Sequence, residues 1–148
     1  MIGNEWESER SDVENLIREA FWNVHVLGCD EHYLAHVLRS HEDFVPELNL
    51  VVELDGRVIG SVMYTRAWLT DESGNEREIL TFGPAAMLVK ALKPDAFDGR
   101  RWFYRESVAY EIDPAEAEEF DRQFVPKEKA FRTSQEEFSI HSHSLLQD

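Results

Sequence analysis

Positions 25–36 read H-V-L-G-C-D-E-H-Y-L-A-H, setting three histidines, a cysteine and two acids within one turn-and-helix length. On a helix, His32 and His36 would share a face with Cys29 nearby, which is how zinc ligands are spaced. The segment lacks the glutamate that follows the first histidine in the H-E-x-x-H metalloprotease helix, so no metal is expected. Cys29 stands where a helix begins, a position that lowers a thiol pKa and suits a nucleophile, yet spacing places no base beside it. A plainer reading stands next to these: Asp30 caps a helix, Glu31 favours its first turn, and the histidines pack or face solvent. His141 and His143 alternate in a polar terminal stretch and need no function.

The elements that would position these residues follow from hydrophobic period. Ser11 with Glu14 reads as a capping box, followed by an apolar stripe at Val13, Leu16, Ile17, Ala20 and Phe21, which predicts a first helix. Gly28 interrupts the pattern, and Asp30 predicts the N-cap of a second helix whose inner face holds Tyr33, Leu34, Val37 and Leu38. After Pro46 the period becomes two. Leu48, Leu50, Val52 and Leu54 are expected on the buried face of a strand, with Glu47, Asn49 and Glu53 opposite. Asp55-Gly56 predicts a tight hairpin into a strand from Val58 to Thr65, and a polar loop at 71–76 leads to a third strand, Arg77 to Gly83.

The run 85–92 suits a buried strand or a short helix, and strand is the preferred expectation. Trp102, Phe103 and Tyr104, with Val108, Tyr110 and Ile112 alternating behind them, predict at least one more strand. Asp113-Pro114 then opens an acidic helix with Ala117, Phe120 and Phe124 inward. One domain over 1–124 and a polar tail over 125–148 is the expected organisation.

Composition bounds the partners. The 148 residues carry 15 Lys+Arg against 30 Asp+Glu, a formal charge of -15, which repels nucleic acid and anionic membrane alike. The single cysteine excludes an internal disulfide and fits a reducing, cytoplasmic setting. No apolar run approaches the roughly 18 residues of a spanning helix.

Four stretches, R-E-A-F-W-N-V at 18–24, G-C-D-E-H-Y-L at 28–34, V-V-E-L-D-G-R-V-I-G-S-V-M-Y at 51–64 and L-T-F-G-P at 80–84, resemble the front half of a GNAT-superfamily N-acyltransferase. Residues 85–124, from A-A-M-L-V-K-A-L through W-F-Y-R-E-S-V-A-Y-E-I-D to E-E-F-D-R-Q-F, resemble the C-terminal portion of the bacterial N-acetyltransferase branch. The resemblance implies an α/β (α+β) fold with a mixed sheet, two opening helices, an antiparallel three-strand meander and a closing strand plus helix. It also implies acetyl-coenzyme A as co-substrate and a small or peptidyl amine as acceptor. The donor edge would begin at Thr81, Phe82 and Gly83, and the acceptor would meet His25, Cys29, Asp30, Glu31 and His32. There the acids would suit a cationic amine, and a histidine would pass a proton near neutral pH.

The family's Arg/Gln-x-x-Gly-x-Gly/Ala pyrophosphate loop, which gathers backbone N–H groups at a helix N-terminus, has no counterpart here. Pro84 has no N–H to offer, and a βαβα portion is missing at Gly83-Pro84 or Pro84-Ala85. Either a longer natural chain contains that portion, or this is a genuine internal deletion or a chain that completes its sheet with another copy. Because the family's thiolate-protonating tyrosine would lie in the missing portion, Tyr64, Tyr104 and Tyr110 are expected to be core or interface aromatics. The alternative function is a non-catalytic binding module that pairs its open edge with a partner, which includes a homodimer.

Overall fold

The computed structural model describes residues 1–83 and 99–137. The junction after Gly83, the run 85–92, Phe138, His141 and His143 lie outside them. The order is β1 (Ile2–Asn4), α1 (Arg10–Phe21), α2 (Glu31–Leu38), β2 (Leu50–Leu54), β3 (Arg57–Asp71), β4 (Glu76–Gly83), β5 (Trp102–Arg105) and α3 (Pro114–Asp121). The fold is mixed α+β around an antiparallel five-stranded sheet. The strands β1, β2, β3 and β4 are neighbours in that order, and β5 adds to β3. Trp68 pairs with both Glu78 of β4 and Arg105 of β5, so β3 is flanked on both edges there.

The helices cover one face of this sheet. Val13 of α1 and Leu34, Ala35 and Leu38 of α2 form one core with Val51 and Met63 of the strands. Burying each larger side chain contributes about 1.5–3 kcal/mol. The β2–β3 hairpin turns at Asp55 (φ 51°) and Gly56 (φ 73°), both left-handed, as a two-residue turn matched to strand twist demands.

Two local expectations are corrected. Helix α1 starts at Arg10, one residue before Ser11, so Ser11 is not its cap; upstream, Glu9 Oε2 accepts the Trp6 N–H at 2.6 Å. Glu14 is released from capping and turns inward to Arg39, whose Nη1 donates to its Oε1 at 2.6 Å. In β2 the predicted faces are exchanged. Asn49 and Val51 are buried, whereas Val52 and Leu54 are exposed, because the helices cover the face bearing the odd residues and a bulge follows Val52. The further strand expected in the aromatic segment is present as Trp102–Arg105, and Val108–Tyr110 is a 3-10 turn whose Ala109 N–H bonds Ser107 Oγ at 3.2 Å.

Beyond α3 the chain does not leave the fold at once. Trp22 Nε1 and Asn23 Nδ2 both donate to the Glu128 carbonyl, and Gln135 Nε2 donates to the carbonyls of Asn23 and Val26. Residues 128–135 thus strap the connector between α1 and α2, the segment that carries the candidate chemistry.

Candidate functional site

The α1–α2 connector turns at Asn23 (φ 58°) and Gly28 (φ 89°), and the Asn23 side-chain oxygen accepts the Gly28 N–H at 2.9 Å. That closed loop delivers Cys29, Asp30 and Glu31 to the start of α2. Glu31 is the hub. Its Oε1 accepts from His25 Nδ1 at 2.7 Å, and its Oε2 accepts from the Cys29 thiol at 3.2 Å and the Asp30 N–H at 3.1 Å.

These contacts decide between the readings of the cluster. Cys29 is buried, and burial together with the adjacent Glu31 charge pushes its thiol far above its ordinary range. The helix start therefore does not lower the thiol pKa here, and Cys29 donates a hydrogen bond to Glu31. Asp30 occupies the N-cap position without a side-chain capping bond, so its expected side-chain cap is also corrected. Burial, then the Glu31 charge, raises its carboxyl above the usual value.

His32 points away from the cluster. It has no exposed surface and packs against the rings of Phe120 and Phe124, which also touch each other, with Nε2 3.1 Å from Asp121 Oδ1. His32 thus presents no accessible surface at the connector. His36 bonds Glu14 at 3.0 Å and packs on Phe120, so the two histidines serve different partners. Among the described residues no cluster of three or more metal-ligating side chains is present.

Glu31 also lines a cleft of about 230 Å³ between the helices and the sheet. The far wall is the end of β4, where Phe82 and Gly83 stand. The fold therefore brings Glu31 of the expected acceptor segment to the same cavity as two of the three expected donor-edge residues. Thr81, the third, faces inward and its side chain bonds Tyr104.

Gly83 is held by Tyr110. A Cβ built on Gly83 would lie 2.5 Å from Tyr110 Cε1, so the ring fills the space a side chain would need. Thr65 Oγ1 donates to the Tyr110 hydroxyl at 3.3 Å, and burial raises that phenol above its ordinary pKa. In the sequence Tyr110 stands among the expected core or interface aromatics, and its place in the 102–112 aromatic segment does not single it out. Replacing Gly83 with Ala is expected to destabilise the fold by about 1–3 kcal/mol through overpacking. Urea unfolding measures this, and the loss should shrink in a Tyr110→Leu background; equal losses in both backgrounds would show that the ring is not the obstacle.

Comparison with protein-family models, curated proteins and solved structures finds no match.

No helix among the described residues is long and apolar enough to cross a membrane.

Proposed function

We propose that this chain carries the acceptor-binding part of an acetyl-coenzyme-A-dependent N-acetyltransferase. The observation that carries the reading is the shared cleft, in which Glu31 and the end of β4 meet. The resemblance assigns those two segments to amine and donor respectively, and two helices ahead of an antiparallel meander agree with its element order. Glu31 presents a carboxylate to an incoming ammonium, and the His25 ring bonded to it extends a proton path towards solvent. Tyr110 adds a protonated hydroxyl near the end of β4.

The donor fits less well. The helix side of Gly83 is filled by the Tyr110 ring, and no residue of the sequence matches the loop that would hold a pyrophosphate. No step through coenzyme A is therefore assigned to these residues, and the full transfer reaction requires the missing loop. Calorimetric titration tests this division. Saturable binding of a small amine, weakened at least tenfold by Glu31→Gln, is expected, with no saturable acetyl-coenzyme A binding at micromolar concentration. Failure of every amine would sink the acceptor reading, and micromolar acetyl-coenzyme A binding would show that the donor site is complete in this chain.

A second reading has its own observation. Gly83 of β4 pairs with Met63, and among the described residues no strand pairs with the β3 edge away from β2 over 57–62. A non-catalytic module would use that edge to pair with a partner or a second copy. Concentration-dependent association in sedimentation would favour it, and a monomer at all concentrations would count against it.

A further inference from the structure

An antiparallel sheet with one face in water carries polar side chains on that face. This sheet does not. Met63, Thr65 and Ala67 of β3 are buried on the helix side, so their even-numbered neighbours, and the residues paired with these, occupy the opposite face. By the same register that face holds Ile2 of β1, Val52 and Leu54 of β2, Leu80 and Phe82 of β4 and Phe103 of β5. All six are exposed, Ile2 to 71%, Leu54 to 58% and Phe103 to 57%.

Area and charge together restrict what covers such a face. At roughly 100 Å² for each half-exposed large side chain, the six present about 600 Å², the upper end of the largest patch on a typical monomer. With the half-buried Val62, Tyr64 and Trp68 between them, the face approaches the roughly 800 Å² that each partner gives to a stable interface. The formal charge of -15 makes two copies repel through most of their surface, and a basic partner is drawn to that acidic surface instead. The apolar face is different. Its charged positions among the described strand residues are Arg57, Arg66 and Arg105 against Glu76 and Glu78. Arg66 Nε lies 3.5 Å from Glu78, and Arg105 Nη2 lies 3.2 Å from Glu76 while its guanidinium covers the Trp68 ring. A face that is near neutral and carries both signs meets its own copy without net repulsion, and a two-fold axis sets the arginines of one copy against the glutamates of the other.

We propose that two copies of this chain stack through this sheet face as a two-fold homodimer, the two sheets enclosing the apolar residues about 10 Å apart. The contact lies across the sheet from the helix-side cleft, so it is independent of the acceptor reading. It also differs from pairing at the β3 edge over 57–62, since Leu80 and Phe103 stand opposite Arg66 and Thr70.

Sedimentation equilibrium of the full chain from about 1 to 100 µM tests the proposal. A species of twice 17.3 kDa is expected. Added salt should hold or tighten it, because salt screens the repulsion between two acidic chains and leaves the apolar contact in place. Leu80→Lys combined with Phe103→Lys should weaken the dimer at least thirtyfold, with the circular dichroism of the wild type retained. Leu80→Thr with Phe103→Thr, which keeps strand-forming side chains, should weaken it about tenfold and decides the matter if the lysine variant misfolds. A monomer at the highest concentration, or a dimer that salt dissociates, would overturn the proposal. An undiminished dimer in the threonine variant would also overturn it and favour the β3 edge.

Discussion

Replacing Arg39 with Met is expected to destabilise the fold by about 3 kcal/mol, the lower end of the roughly 3–5 kcal/mol lost when one partner of a buried ion pair is removed. Arg39 sits at the end of α2 with its side chain 5% exposed. Nε and Nη2 grip Glu5 at 2.8 and 2.6 Å, and Nη1 donates to Glu14 at 2.6 Å. The Glu5 and Glu14 side chains are 2% and 9% exposed, so without the guanidinium two carboxylates remain inside with no cation between them. Asn49 Nδ2 still donates to Glu5, and His36 still reaches Glu14, which is why the lower end of the range is chosen. At about 2–4 °C per kcal/mol for a chain of this size, melting should fall by roughly 6–12 °C. Adding Glu5→Gln and Glu14→Gln should recover most of the loss. A drop under about 1 kcal/mol in urea unfolding would mean that water reaches these carboxylates.

The same network shows what could and could not be read from sequence. Asp55-Gly56 announced its hairpin because two left-handed residues in a row are a local demand that few dipeptides meet. Asp113-Pro114 announced α3 for a similarly local reason, and Asp113 Oδ1 accepts the Ala115 N–H at 2.8 Å. The face of β2 was not legible, since alternation separates two faces without saying which one the helices will cover. Leu50, Val52 and Leu54 looked like the core only because Asn49 is polar, and Asn49 is buried because Glu5 accepts from it at 2.6 Å. Strand β1 was missed for a related reason. Its three residues carry no strand period and are held by pairing with β2, Ile2 opposite Val52.

Within the candidate site, no local signal in the sequence shows that Glu31 and the end of β4 line one cleft. The roles of Glu31 as partner of His25, Cys29 and Asp30 were not legible either, because they depend on the connector folding back at Asn23 and Gly28.

The second large effect concerns Arg18, where stability and pH response are joined. The Arg18 side chain is 1% exposed, donates from Nε to Asp121 Oδ1 at 2.5 Å and stacks on Trp22 with its carbon 4.3 Å from the ring centroid. It thereby ties α1 to α3. Arg18→Leu is expected to cost about 2–4 kcal/mol, less than a fully enclosed pair because Asp121 remains 17% exposed to water.

His32, in contact with the same Asp121, sets the pH response. Burial lowers its pKa below the ordinary 6.5, Asp121 opposes that shift and Arg18 reinforces it. Above about pH 6.5 the ring is neutral in both folded and unfolded chains, and the stability is fully present. As pH falls below that value the unfolded chain takes the proton first, so stability is lost until the folded-state pKa is passed. Removing Arg18 deletes one of the causes that lower the pKa and leaves the attraction of Asp121 less opposed. The wild-type urea midpoint should therefore fall between about pH 7 and pH 5, and the fall should be shallower in Arg18→Leu and in His32→Gln. An equally steep fall in all three proteins would assign the acid response to other groups and free His32 of this role.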